Sequence, residues 1–154
     1  MERIIRPSAK ALIIREGKML AIRIQDGDEV FHIMPGGGQA AGELLPEAVA
    51  REVAEEAGLR VKVGELAFVI EGVEGEAAHR IDLVFQCEYL GKIENADLHG
   101  DHNQVGLDWL DIATLNRSTL YPSKLRRPIM NFYEGKPYPV YLGNESVGDP
   151  EITE

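Results

Sequence analysis

Three glutamates, Glu52, Glu55 and Glu56, are spaced so that their carboxylates could act together in one site. In an α-helix, residues three and four positions apart share a face, so a helix here would place all three carboxylates within an arc of about 100°. Two like charges about 4 Å apart repel by roughly 1 kcal/mol in water and about 4 kcal/mol at an effective dielectric constant of 20. Such crowding is unfavourable unless a cation lies over the stripe. Mg²⁺, which prefers oxygen ligands, is the leading candidate.

The segments that flank this stripe predict a strand, a loop and a helix in that order. Val30 to Met34 has the composition of a strand and runs into Pro35 to Gly38, whose three glycines allow the backbone to approach a ligand closely. Pro46 suits the first turn of a helix, good helix formers continue through Ala57, and Gly58 is a typical C-terminal stop. The glutamates are therefore expected on a helix that follows a glycine loop.

The spacing of these residues matches a known signature. In the Nudix signature a glycine is followed after five residues by Glu, and after seven more by Arg-Glu-U-x-Glu-Glu-x-Gly-U, where U is a bulky aliphatic residue. The matching positions are Gly37, Glu43, Arg51, Glu52, Val53, Glu55, Glu56, Gly58 and Leu59. The chain thus resembles a Nudix hydrolase, a family that cleaves nucleoside diphosphates linked to another moiety. The resemblance implies an α/β/α sandwich with a mixed β-sheet.

The resemblance also implies a role for each matching residue. The Gly37 carbonyl and the carboxylates of Glu52 and Glu56 would bind Mg²⁺, with Glu55 a ligand or near-ligand; Mn²⁺ could substitute. Arg51, four residues before Glu55, can pair with it and would orient the site. Catalytic roles are expected for Glu52, Glu55 and Arg51. Glu52 is the first choice as the base that takes the proton of the attacking water, although some family members draw the base from a later loop.

Weaker candidates lie outside the helix. Glu43 precedes it and is expected to stabilise the loop by hydrogen bonds or to contact substrate. Arg23 could hold a substrate phosphate and Phe31 could stack on a base, while a solvated charge and a core side chain are the ordinary alternatives. The segment 97–102 contains two aspartates and two histidines, which could add a metal ligand or a base, or could form an exposed polar loop.

Substrate markers known in the family are absent. A proline about fifteen residues past the motif would suggest ADP-ribose, and a tyrosine slightly further on would suggest dinucleoside polyphosphates. This chain has residues 74–77, Glu-Gly-Glu-Ala, at that point. By elimination we expect hydrolysis of a nucleoside or deoxynucleoside triphosphate. A nucleotide sugar such as ADP-ribose and a non-catalytic nucleotide sensor are the alternatives; an isoprenyl diphosphate isomerase would need an active-site cysteine, and Cys87 lies in an apolar run.

Composition limits the choice of partners. The chain has 154 residues, 44% of them hydrophobic, as expected for one globular domain. Its net charge of −10 argues against a nucleic acid or an anionic membrane as the main partner. Cys87 is the only cysteine, so no intramolecular disulfide forms and a reducing cytoplasm fits best. A small nucleotide is the expected partner, and because many relatives are dimers, a homodimer is a further expectation.

The remaining pattern predicts a single domain, 1–154, with more strands than helices. The runs 9–14 and 19–24 flank a turn signal and predict a hairpin. Further strands are expected at 61–70, 79–90 and 107–110, and a second helix between Pro122 and Tyr133. The acidic end, from about residue 143, is expected to be mobile. Hairpin connections with one long helix in mid-chain favour a mixed α/β (α+β) sandwich over a regular βαβ fold.

Overall fold

The computed structural model describes residues 3–75 and 77–154, in which it has eight strands and two α-helices. The strands are β1 (Ile5–Arg15), β2 (Lys18–Asp26), β3 (Glu29–Ile33), β4 (Gly36–Gly38), β5 (Leu59–Gly72), β6 (His79–Lys92), β7 (Gln104–Asp111) and β8 (Tyr141–Asn144). The helices are α1 (Leu45–Ala57) and α2 (Arg126–Tyr133), and 3₁₀ turns span Ile112–Arg117 and Ser123–Leu125. Glu76, in the stretch where substrate markers were sought, lies outside the described residues.

The strands form one mixed sheet that divides at β2. Its order is β3-β2-β1-β6-β5-β8, with β4 beside β1 and β7 beside β2. The β1–β6 and β5–β8 pairs are parallel, and the other pairs are antiparallel. β1 and β2 form the predicted hairpin, whose two turn residues, Glu16 and Gly17, have φ of 50° and 77°. β2 pairs with β1 beside this turn and then runs between β3 and β7.

Helices cover both faces of the sheet around β1. Successive strand residues point to opposite faces, so Ala9, Ala11 and Ile13 face one way and Leu12 faces the other. On the first face these residues pack with α1 and β6 residues, namely Ala48, Val49, Val53, Ala57 and Phe85. On the second face Leu12 packs with Phe68, Val84, Ile129 and Met130, beneath α2. This layering confirms the predicted α/β/α sandwich with a mixed sheet.

The local signals for α1 are the ones that the sequence predicted. The helix spans Leu45–Ala57, with Pro46 in its first turn. The backbone N–H of Leu44 donates to the carboxylate of Glu47 at 3.0 Å, which satisfies a donor that the first turn leaves free. Gly58 ends the helix in the left-handed conformation, with φ of 65°. The helix is therefore fixed at both ends next to the stripe of glutamates.

The C-terminal segment contacts β5, the turn before α2 and the first residue of α2. β8 pairs with β5, the backbone N–H of Ile152 donates to Ser123 Oγ at 2.8 Å, and Arg126 forms a 2.6 Å ion pair with Glu151. Mobility of the acidic end from about residue 143 stays a prediction. Among residues 3–75 and 77–154, neither helix has the length and apolar character needed to cross a membrane.

Candidate active site

The three glutamates lie on the side of α1 next to its buried face. Val49 and Val53 are fully buried against the sheet. Glu52 follows the first of these residues by three positions, and its side chain is 17% exposed; Glu55 is 37% exposed. Because α1 is regular through this region, the carboxylates leave the helix at the border between core and solvent. That border lies against the glycine strand β4.

Arg51 is the central cation of the site. Its Nε and Nη2 donate to the two carboxylate oxygens of Glu43 at 2.7 and 3.0 Å, and Nη2 also donates to the Gly38 carbonyl at 3.1 Å. Its Nη1 donates to Glu52 at 3.1 Å and to Glu55 at 3.2 Å. The predicted pairing of Arg51 with Glu55 is present, and one guanidinium connects the glycine loop with two of the three glutamates.

The Glu43–Arg51 pair has the two-pronged geometry that gives strong charge-assisted hydrogen bonds. Hydrogen bonds from Arg51 and from the Ala40 backbone N–H lower the pKa of Glu43 from 4.5 to about 2. The same pair raises the pKa of the Arg51 guanidinium above its ordinary range. Glu43 also fixes the loop, since its carboxylate accepts from Ala40 N–H at 3.0 Å and its carbonyl accepts from Gln39 Nε2 at 2.7 Å. Glu43 therefore forms the predicted hydrogen bonds within the loop, and its contact with substrate stays a prediction.

Because the glycines of β4 have no side chains, glutamate carboxylates of α1 can lie against the backbone of this strand. A Cβ on Gly37 would lie 2.7 Å from the carboxyl carbon and from Oε2 of Glu52, closer than real Cβ atoms approach other atoms. Gly36 has φ of 135°, and its backbone N–H donates to Glu56 Oε1 at 2.7 Å. The loop and the helix thus meet through two glutamates, one over Gly37 and one on Gly36.

Glu56 is held by a residue that the sequence did not indicate. Gln104, at the start of β7, donates from Nε2 to Glu56 Oε2 at 2.8 Å. Burial is the main cause that raises the pKa of Glu56 above its ordinary value of 4.5, although the Gly36 and Gln104 donors act against it. A polar residue beginning a strand is a common pattern, so nothing in the sequence distinguished Gln104 from its neighbours.

Phe31 and Arg23 lie on opposite faces of the sheet. Phe31 and Gln104 both pair with Ile24, so the Phe31 side chain lies on the face from which Gln104 reaches the glutamates. Arg23 is adjacent to Ile24 along β2 and points the other way, where its Nε lies 3.6 Å from Asp108. The structure brings Phe31 to the glutamate side and does not bring Arg23 there. A phosphate contact by Arg23 stays a prediction.

The polar loop at 97–102 contacts the end of α1. The His99 backbone N–H donates to the Glu55 carbonyl at 2.7 Å. The His99 ring lies 3.3 Å from Asp97, and both side chains are largely exposed. This loop is therefore close to the glutamates in space. A metal or base role for its side chains stays a prediction.

The donors available suit a hard divalent cation. They are carboxylate and carbonyl oxygens, which Mg²⁺ prefers, and Glu52 fits the space that a Cβ on Gly37 would fill. Arg51 supplies the positive charge next to Glu52 and Glu55. Within residues 3–75 and 77–154, no group of three or more acidic, histidine or cysteine side chains is arranged to hold a metal. An ion binding here would have to compete with Arg51 for Glu52.

Comparison with known proteins identifies relatives over most of the chain. A NUDIX domain family model matches residues 5–132. A MutT-like protein of Streptomyces ambofaciens is 38% identical over 104 residues, which are 67% of this chain; the match covers 62% of that relative, less than two thirds of its length. An ADP-ribose pyrophosphatase of Methanocaldococcus jannaschii is 26% identical over 126 residues, 80% of this chain and 72% of the relative. The crystal structure of a MutT protein from Methanosarcina mazei Go1 has a TM-score of 0.66 at 27% identity, covering 88% of this chain and 97% of that one.

Proposed function

The chain belongs to the Nudix hydrolase family, and from that premise we propose that it hydrolyses a phosphoanhydride bond of a nucleoside or deoxynucleoside triphosphate, with Mg²⁺ bound at the glutamates. The observation that best supports this proposal is the position of the Glu52 carboxylate on the backbone of Gly37. The Glu52 carboxylate lies there against the loop backbone and accepts a hydrogen bond from Arg51 at 3.1 Å. A solvated acidic helix face would have no reason to meet a glycine backbone in this way.

The residues of the network would bind the metal, accept a proton or position other side chains in the proposed reaction. The Gly37 carbonyl, Glu52, Glu55 and Glu56 would hold Mg²⁺ or Mn²⁺, which when bound would neutralise phosphate oxygens and stabilise charge on the leaving phosphate. Glu52 takes the proton of the attacking water, since its carboxylate is partly exposed and is oriented by Arg51. Arg51 is a positioning residue that keeps Glu52 and Glu55 at fixed places relative to the loop.

The proposed nucleotide site extends from the glutamates toward Phe31. Phe31 shares a sheet face with Gln104, which contacts Glu56, and we expect its ring to stack on the base of a nucleotide whose phosphates reach the glutamates. The net charge of −10 disfavours the approach of a polyphosphate, and a divalent cation bound at the glutamates would reverse the sign of the charge locally.

The test is a panel of nucleoside triphosphates, deoxynucleoside triphosphates and ADP-ribose, incubated with Mg²⁺ or Mn²⁺, with products identified by chromatography. We expect metal-dependent turnover of at least one triphosphate, and we expect Glu56→Gln to lower kcat/KM by about 100-fold or more. Glu65→Gln, an exposed glutamate on β5, is the matched control and should not change kcat/KM. Undiminished hydrolysis by Glu56→Gln would contradict the proposal.

A nucleotide sugar such as ADP-ribose is the second candidate substrate. The relative named as an ADP-ribose pyrophosphatase favours it, whereas the missing proline in residues 74–77 favours a triphosphate. The reaction products distinguish the two candidate substrates, because ADP-ribose yields AMP and ribose 5-phosphate, while a triphosphate yields pyrophosphate or phosphate. If nucleotides raise the melting temperature but none is cleaved, the chain is a sensor instead.

The setting of the proposed activity follows from composition. With Cys87 as the only cysteine and a strongly negative net charge, we propose action on a small nucleotide in a reducing, cytoplasmic compartment, without nucleic acid or membrane as partner. A single domain that associates as a homodimer is likewise proposed, and light scattering coupled to size-exclusion chromatography would test it.

A further inference from the structure

A pocket lies at the C-terminal end of α1, directly after the glutamate stripe, between β6 and β7. It encloses about 490 Å³, within the range of small-molecule sites. The side chains that matter for its chemistry are Arg15, Tyr89, Lys92, Leu98, Leu107 and Trp109. None of the proposed metal ligands lines it. Ala57 of the lining directly follows Glu56, so the pocket adjoins the glutamate site, whereas Trp109 is five residues from Gln104 along β7, or about 17 Å at the usual strand rise.

The pocket is closed on one side by tight packing. The loop after β6 packs against the end of α1, where a Cβ on Gly58 would lie 3.1 Å from Ala96 Cβ and 3.2 Å from Leu98 Cδ2. Gly58 also needs its left-handed conformation, with φ of 65°. Ala96 and Leu98 therefore form the wall of the pocket beside Gly58.

Aromatic and aliphatic side chains give the pocket an apolar interior. The rings of Tyr89 and Trp109 meet edge to face, with centroids 6.4 Å apart at 71°. Trp109 and Leu107 are each 37% exposed and Leu98 is 55% exposed, although all three are large and apolar. Water contact with these surfaces is unfavourable, and a flat hydrophobic ligand would remove it.

Two cations border this apolar surface. The Arg15 guanidinium lies 3.9 Å from the centroid of Tyr89 and 6.0 Å from that of Trp109, which holds it at the rings by cation–π attraction. In residues 3–75 and 77–154, neither Arg15 nor Lys92 forms an ion pair with a carboxylate. On a chain with a net charge of −10, unpaired cations beside exposed rings make a local site for a negative group.

We propose that this pocket binds a small planar aromatic anion, with its ring against Tyr89 and Trp109 and its acidic group on Arg15 and Lys92. The positive charges of Arg15 and Lys92 favour an anionic ligand, and the volume of about 490 Å³ suits a small molecule. Since the pocket shares no side chain with the proposed metal site, binding here does not depend on the proposed hydrolysis.

The test uses the fact that Trp109 is the only tryptophan. Its indole N–H gives a single signal in a ¹H–¹⁵N correlation spectrum, so the signal reports on this pocket without activity. Naphthalene-2-sulfonate is the probe, and the neutral naphthalene-2-sulfonamide is its matched control. We expect a saturable shift of the indole signal with the sulfonate, and a Kd about tenfold higher for the sulfonamide.

Variants assign the charge effect to Arg15. Arg15→Gln should raise the Kd for the sulfonate about tenfold, while Lys18→Gln, which removes an equal charge nearby on β2 but does not line the pocket, should change it less than twofold. Equal Kd values for wild type and Arg15→Gln would overturn the proposal. So would loss of the shift in Glu52→Gln but not in Arg15→Gln, which would place the probe at the glutamates. An indole signal that moves with protein concentration alone would assign the pocket to a second copy of the chain.

Discussion

Replacing Gly37 with alanine tests whether activity depends on the position of the Glu52 carboxylate, because the change should move that carboxylate without unfolding the loop. The added Cβ would lie 2.7 Å from the Glu52 carboxyl carbon, and ordinary contact begins at 3.4 Å, so the carboxylate must retreat by about 0.7 Å, the difference between these distances. The φ of Gly37 is not positive, so the backbone accepts alanine. Because a displacement near 1 Å can cost about 100-fold in rate, we expect kcat/KM to fall roughly 10- to 100-fold, or about 1.4–2.7 kcal/mol.

The assay is steady-state hydrolysis of the best substrate from the nucleotide panel, with the melting temperature measured in parallel. Gly64→Ala is the matched control, since Gly64 lies in β5 and its added Cβ would meet the Gln86 carbonyl at 3.2 Å, away from the glutamates. We expect it to keep kcat/KM within about twofold. Full activity of a folded Gly37→Ala variant would refute the reasoning, as would an equal loss in Gly64→Ala.

Two further predictions concern titrating groups. Arg51 holds the pKa of Glu43 at about 2, against 4.5 for an unperturbed carboxyl, so this pair stabilises the fold fully above pH 4.5 and progressively less as the pH falls toward 2. In urea titrations over that pH interval, the free energy of unfolding should fall more for wild type than for Glu43→Gln. Equal losses would contradict a stabilising role for the Glu43–Arg51 pair. Burial raises the pKa of Cys87 from 9.0 to about 12, which lowers its thiolate fraction at pH 8 about a thousandfold relative to the unfolded chain. Because a thiolate of higher pKa is also more nucleophilic, we expect reaction with a disulfide reagent to be at least about tenfold slower than in the unfolded chain. Comparable rates would mean that the thiol is accessible and ionised.

The parts of the fold set by local signals were predicted from the sequence. The turn at Glu16 and Gly17 has positive φ in two successive residues, and the predicted hairpin forms beside it, where Ile14 pairs with Met19. Likewise, Pro46 and Gly58 bracket a segment of good helix formers, and α1 begins and ends beside them. The pairing of Arg51 with Glu55 follows from their spacing of four on that helix.

Contacts between distant segments could not be predicted in this way. Gln104 reaches Glu56 because β7 pairs with β2 rather than with its neighbour in sequence, β6. Alternation along β2 placed Arg23 and Ile24 on opposite faces, but only the strand pairing shows which face looks toward the glutamates. The parallel β1–β6 pair joins residues far apart in the chain, and periodicity carries no information about such partners.

The central claim is that a divalent ion binds among the glutamates of α1, and calorimetric titration of the chain with Mn²⁺, followed by Mg²⁺, tests it most directly. We expect saturable binding by wild type, at least tenfold weaker binding by Glu52→Gln, and unchanged binding by Glu65→Gln. Absence of saturable uptake of either ion by wild type, or equal affinity in Glu52→Gln, would contradict the account.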